Sequence, residues 1–200
     1  FFFSHHISTM EGGMIVTDNE ELYHILLSLR AHGWTRNLPE ENFVVKKSKN
    51  SFEESFRFVL PGYNLRPLEM SGAIGIIQLK KFKEFLKKRQ DNASMFLNKM
   101  KKYDDIITQK EIGISSWFGF SLVIKPGSSR SRDNLVKTLN ILGFECRPIV
   151  AGNFAKNTVV DFFEKEIPHN LENADWVDLN GVFIGNHHIN MEYALKNLNL

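Results

Sequence analysis

An α/β fold is predicted by three features of the sequence. Short runs rich in β-branched and aromatic residues, such as 117–125 and 182–185, are bounded by Gly, Pro, Asn or Ser. Apolar residues at three- and four-residue spacing recur between those runs, as helices packed on a sheet require. The composition of the 200 residues, 42% hydrophobic and 24% charged, is that of a globular chain with enough apolar side chains for a core.

The elements follow in order. Phe1-Phe2-Phe3, with neither an initiator Met nor a basic signal region, reads as the end of a buried strand already under way. The chain is therefore expected to be the C-terminal part of a longer protein. Ser4-His5-His6 forms a polar turn, and Gly12-Gly13 leads into a short strand over 14–17. Asp18 with Glu21 has the form of a capping box, and Leu22, Ile25, Leu26 and Leu29 place an amphipathic helix over 19–31 against a sheet. Residues 33–60 show no period, the mark of a functional loop. Pro61-Gly62 breaks the chain, and Pro67 suits the first turn of a helix in which Gly72, Ala73 and Gly75 permit close packing beside Ile74 and Ile77. A second, separate helix is expected over 82–103, a strand over 117–125 and a loop over 126–129. Leu135, Val136, Leu139 and Leu142 mark a helix stopped by Gly143. Short strands over 145–147 and 182–185 flank a loop and a helix over 171–178.

Charge and cysteine content narrow the function. Twenty-five Lys and Arg against 23 Asp and Glu leave a net charge of +2, too even for an electrostatic nucleic-acid binder. The basic stretch Lys80, Lys81, Lys83, Lys87, Lys88 and Arg89 is expected to be the solvated face of a helix whose buried stripe is Phe82, Phe85 and Leu86. No apolar run reaches the roughly 20 residues of a membrane span. The single cysteine, Cys146, excludes an internal disulfide and any all-cysteine metal or iron–sulfur site within one chain, so a reducing, cytoplasmic setting is the expectation. His187-His188 has no third ligand at a useful spacing, and no metal site is expected.

Three motifs carry chemistry when taken together. Paired histidines in 4–13 precede a Gly-Gly turn, which alone would be an ordinary surface loop. Arg30-Ala31-His32-Gly33-Trp34-Thr35-Arg36 sets cations at a helix C-terminus, where the macrodipole favours them without any ligand. Gly62-Tyr63-Asn64-Leu65-Arg66-Pro67 could be only a turn into a helix. In this order, with His5 six residues before Glu11-Gly12-Gly13, they resemble the sugar aminotransferases of the DegT/DnrJ/EryC1/StrS family. That resemblance implies a pyridoxal phosphate enzyme of fold type I, the aspartate aminotransferase fold. On it, residues 1–60 are the C-terminal part of the cofactor-binding large domain, and 61–200 are the small α/β domain.

In most of that family the position of His5 is a lysine that holds the cofactor covalently. The histidine, together with the stretches 5–13, 30–39, 58–75, 115–125 and 145–154, is similar to the branch that dehydrates nucleotide sugars at C3. One relative with the same replacement uses a cysteine-ligated [2Fe–2S] cluster, which needs four ligands; a chain with Cys146 alone points to the iron-free chemistry. The resemblance implies 3-dehydration of a GDP-4-keto-6-deoxyhexose, GDP-4-keto-6-deoxy-D-mannose, with L-glutamate as co-substrate and pyridoxal 5′-phosphate cycling through pyridoxamine 5′-phosphate. It makes His5 the catalytic base, a task suited to an imidazole because its ordinary pKa of ~6.5 lies near working pH. It assigns Ser4 and Asn64 to the cofactor, the latter reaching the phosphate of a neighbouring subunit in a homodimer with shared active sites. His32 and Arg36 fall to the glutamate carboxylates or the sugar, Arg66 to the sugar nucleotide, and Glu145 and Arg147 to the lining of the site. The aspartate beneath the pyridine nitrogen, the aromatic stacked on the ring and further phosphate contacts would come from sequence preceding this chain, so the fragment alone is expected to be inactive. An aminotransferase acting on another nucleotide sugar, or an inactive sugar-nucleotide-binding relative, are the alternatives the sequence leaves open.

Overall fold

In a computed structural model that describes residues 1–2 and 5–200, the chain forms two compact units, Phe1–Leu79 and Lys80–Leu200. Elements in chain order are α1 (Glu20–Leu29), α2 (Ser51–Glu54), α3 (Glu69–Met100), β1 (Ile106–Thr108), β2 (Gly119–Ile124), α4 (Arg132–Ile141), β3 (Cys146–Arg147), α5 (Glu172–Asn180), β4 (Gly181–Gly185) and α6 (Glu192–Lys196). Residues 61–79 belong to the first unit because Tyr63 and Leu65 N–H donate to the carbonyls of Leu29 and Arg30, at 2.7 and 2.9 Å.

The second unit is built on an antiparallel sheet of order β1-β2-β4-β3. Alternation along β2 sends Phe120, Leu122 and Ile124 into the core, where they meet Ala93, Phe96 and Met100 of α3 and Leu135 and Leu139 of α4. Phe96 and Phe120 stack nearly parallel, with centroids 4.1 Å apart. At the edge of the β2–β4 pairing Gly119 must lack a side chain, since a Cβ there would lie 2.1 Å from the Phe183 ring. Ser131 caps α4 by accepting from Asn134 N–H, and Gly143 ends it at φ +84°, as its glycine predicts. Trp176 on α5 donates from Nε1 to the Ile124 carbonyl at 2.8 Å.

Arg89 departs from the expected solvated face. Its lysine neighbours are exposed, but Arg89 is only 2% exposed, and Nη1 donates to Asn186 O at 2.7 Å and to the carbonyls of Trp117 and Phe118 at 3.5 Å. Asn186 answers by donating from Nδ2 to the carbonyls of Arg89 and Trp117, both at 2.9 Å. Burial pushes the guanidinium pKa below its ordinary value.

Several sequence expectations change. The two helices anticipated on either side of residue 80 are one, α3, because Leu79-Lys80-Lys81 are good helix formers with no glycine or proline to interrupt them. Phe1 and Phe2 form no strand, and Phe3 lies outside the described residues. Residues 14–17 form no strand and pair with nothing in a ladder, and Val16 is 84% exposed. Helix α1 is capped by Asn19, whose Oδ1 accepts from Leu22 N–H at 3.0 Å, not by Asp18. Its buried side chains are His24 and Ser28, while Leu22 is exposed, and no sheet underlies it among the described residues of this unit. Among the described residues no helix is long and apolar enough to cross a membrane.

Two measurements check the second unit. Phe96→Ala should cost about 3–5 kcal/mol, read from urea unfolding followed by tryptophan fluorescence, because it empties a closed site against Phe120. Asp105, held below its ordinary 3.8 first by the Arg130 hydrogen bond and also by Ser128, gives stability that is present above the unfolded carboxyl's pKa and is lost as pH falls through the lower folded value. Asp105→Asn should therefore flatten the acid limb of the stability curve below about pH 4, by at most about 1 kcal/mol for a partly exposed pair.

Candidate active site

The chain leaves α1 at Arg30 and makes two successive left-handed residues, His32 at φ +63° and Gly33 at φ +78°. This turn lays residues 31–35 alongside 57–65. His32 N–H donates to Tyr63 O at 2.8 Å, Val59 N–H to Gly33 O at 2.8 Å and Thr35 N–H to Arg57 O at 3.1 Å, with bridges pairing Ala31 with Asn64 and Trp34 with Phe58. Two glycines allow the approach. A Cβ on Gly33 would lie 1.7 Å from Leu60 O, and one on Gly62 would lie 1.9 Å from Gly33 N.

The ribbon brings four of the anticipated residues together in sequence register. His32 and Asn64 flank the Ala31–Asn64 bridge, Arg66 follows two residues on, and Arg36 stands beyond the Trp34–Phe58 bridge. All four are exposed. His32, Asn64 and Arg66 make no side-chain hydrogen bond or ion pair among the described residues. Imidazole, amide and guanidinium form a donor-rich set suited to phosphate or carboxylate oxygens. Arg36 lies with Cζ 3.7 Å over the Trp34 ring and donates from Nη2 to Ser55 O at 3.4 Å. It borders a depression of about 490 Å³ that Lys47 and Lys49, and also Glu40 and Glu54, line.

His5 is exposed on a turn whose N–H donates to Phe2 O at 3.0 Å, with its ring edge-on to Phe2 at 6.1 Å between centroids. The following buried residue, Thr9, lies close to Gly75 of α3, where a Cβ would come within 3.3 Å of the Thr9 methyl. Of the small residues anticipated in that helix, Gly75 thus serves to admit the segment carrying His5, whereas Gly72 has nothing within 4 Å of its Cβ position. Ser4 lies outside the described residues. Glu145 and Arg147 belong to the second unit, on and beside β3, where Arg147 Nη2 pairs with Glu145 Oε1 at 2.7 Å. Nothing local in the sequence singles out Trp34: the chain bends at Thr35 and turns at Arg36, where Leu38 N–H donates to Thr35 O at 3.0 Å, and it is this turn that carries the guanidinium over the indole.

His187 and His188 are pushed below the ordinary histidine pKa first by burial and also by Arg89, and His188 stacks on Phe85 at 3.9 Å. Among the described residues no group of three or more His, Cys, Asp or Glu is placed to hold a metal ion.

The sequence pattern of the DegT/DnrJ/EryC1/StrS aminotransferase family matches residues 1–192. The chain belongs to that family. It is 59% identical over 192 residues to GDP-4-keto-6-deoxy-D-mannose 3-dehydratase of Escherichia coli O55:H7, covering 95% of this chain and 50% of the relative. It is 56% identical over 199 residues to the Yersinia pseudotuberculosis protein of the same name, covering 98% of this chain and 51% of the relative. A crystal structure of GDP-4-keto-6-deoxymannose-3-dehydratase with a trapped PLP-glutamate geminal diamine superposes with a TM-score of 0.93 at 56% identity, over 99% of this chain and 53% of that one. The fold is therefore that of the family's pyridoxal phosphate-dependent sugar aminotransferases, as the motifs led us to expect. The chain spans about half the length of the curated relatives it matches.

Gly33→Ala should cost about 3 kcal/mol or more, since it adds both a backbone clash and a left-handed strain. Hydrogen exchange would show it as lost protection at the Val59 and Tyr63 amides.

Proposed function

We propose that this chain is part of a pyridoxal phosphate- and pyridoxamine phosphate-dependent 3-dehydratase of a GDP-4-keto-6-deoxyhexose, with GDP-4-keto-6-deoxy-D-mannose as substrate and L-glutamate as amino donor. The observation that carries this reading is the ribbon of exposed donors, His32, Asn64, Arg66 and Arg36, in a chain whose lysine position holds His5. Both curated relatives bear the name of that dehydratase, and the solved relative holds a cofactor–glutamate adduct.

When bound, the cofactor supplies an electron sink for cleavage of the sugar C3–oxygen bond. A histidine at position 5 cannot join the cofactor aldehyde as a lysine does, so the chain holds the group by noncovalent donors. Asn64 donates to the phosphate of the neighbouring subunit's cofactor in a homodimer with shared sites, and Ser4 also serves the cofactor. His32 and Arg36 take the glutamate carboxylates, a task matched to the forked guanidinium edge. Arg66 meets the sugar nucleotide, and Glu145 and Arg147 line the site. His5 would take the proton from the cofactor C4′ carbon and pass it to the departing C3 hydroxyl, which leaves as water. Residues 1–60 close the cofactor-binding large domain and 61–200 form the small domain, with 61–79 hydrogen-bonded back onto the former. The large apolar side chains exposed in the first unit, among them Phe52, Leu65 and Met70, are consistent with a surface covered in the whole protein.

The whole protein given pyridoxal phosphate, L-glutamate and GDP-4-keto-6-deoxy-D-mannose should release ammonia and a 3-deoxy-4-keto sugar, identified by mass spectrometry. A 4-amino sugar product would overturn the reading in favour of an aminotransferase. His5→Asn should slow 3-deoxy sugar formation by about 10²–10⁴-fold, the usual contribution of a general base.

A further inference from the structure

We infer that Trp34 is a positioning residue that holds the Arg36 guanidinium flat and ready for a planar carboxylate. The inference rests on the reading of Arg36 as a ligand of the glutamate carboxylate. Arg36 Cζ lies 3.7 Å from the centroid of the Trp34 ring and 5.4 Å from that of Phe56. No carboxylate pairs with Arg36 among the described residues. The distinction matters, because an acidic partner would neutralise the cation and compete with a substrate anion. An indole face attracts the cation through its quadrupole and leaves its charge and its N–H edges available.

The indole is itself fixed. Trp34 Nε1 donates to Ser55 O at 3.0 Å, and the ring is flanked by Phe56 at 5.2 Å and Phe58 at 5.5 Å between centroids. Between Trp34 and Arg36, Thr35 is fully buried and its N–H donates to Arg57 O at 3.1 Å, which anchors the backbone that carries both side chains. Ser55 O also accepts from Arg36 Nη2 at 3.4 Å, so one carbonyl sets both the indole and the guanidinium. That contact uses one of the five guanidinium N–H donors. An exposed arginine otherwise samples many rotamers, and ordering it on binding opposes affinity. The stack removes that freedom before the ligand arrives.

The test uses the whole protein loaded with pyridoxal phosphate. Glutarate, a dicarboxylate without the amino group, is titrated calorimetrically against the wild type, Trp34→Leu, Trp34→Phe, Arg36→Leu and the double variant, and steady-state kinetics are run with L-glutamate. Trp34→Leu should weaken glutarate binding and raise the glutamate KM by about fivefold each, with kcat within about twofold, as expected for loss of a cation–π contact at an exposed site. Trp34→Phe retains a ring face and should weaken binding by about threefold or less. In the Arg36→Leu background, Trp34→Leu should add nothing. An equal penalty in both backgrounds, or no penalty in either, overturns the inference while leaving the Arg36 assignment in place. Unchanged glutarate affinity in Arg36→Leu overturns that assignment and the inference with it. Arg36→Lys leaves the aromatic cluster intact and keeps the charge but loses the planar fork, so it serves if Trp34→Leu does not fold; it should weaken glutarate about tenfold, and wild-type affinity would overturn the inference.

Discussion

The backbone contact between Gly33 and Gly62 is the constraint on which the candidate site depends. With any larger residue at either position the segments 31–35 and 57–65 could not close to hydrogen-bonding distance. Without that closure His32, Asn64 and Arg66 would belong to separate loops, and the hydrogen bonds that return residues 61–65 to the end of α1 would be lost. The donors are thus arranged by an absence of side-chain volume, which makes the geometry independent of the donors' own chemistry.

A different economy operates in the second unit. There an apolar core of ordinary kind, centred on Phe96 and Phe120, is joined by a polar core in which Arg89 and Asn186 exchange hydrogen bonds with three stretches of backbone. Asn92 extends it, with Nδ2 donating to the carbonyls of His187 and Ile189 at 2.9 and 2.8 Å. A buried cation met by carbonyl dipoles alone is costly to desolvate, the more so here because Arg89 Nε finds no hydrogen-bond partner among the described residues, and the Nη1 donor serves to order loops that lack regular structure.

The parts of this architecture that were legible in the sequence are those with a local cause. Phe120, Leu122 and Ile124 alternate as a half-buried strand must, and Gly143 stops a helix as its left-handed φ allows. The site motifs were legible as a set because three separate stretches fell in a familiar order, and the family match over residues 1–192 agrees with them. What failed was whatever depends on partners distant in sequence. Met14-Ile15-Val16 has the composition of a strand, yet β propensity is realised only against a neighbouring strand. Leu22 marked the apolar side of α1, but the packed side proved to be His24 and Ser28. Arg89 shared a run of cations with exposed lysines, and nothing local distinguishes the one that finds carbonyls 28 and 97 residues away. Trp34 acquires its place only once residues 55–58 fold beside it.

The backbone at His32 has a consequence for how this position can vary. A φ of +63° is tolerated by few residues other than glycine, asparagine, aspartate and histidine, and it is worst for β-branched ones. Replacement by threonine, valine or isoleucine would therefore disturb the path of the chain before it tested any role of the imidazole. The set of substitutions open to evolution here is filtered by conformation first, and asparagine offers the change that can alter ligand preference while leaving the ribbon's course untouched.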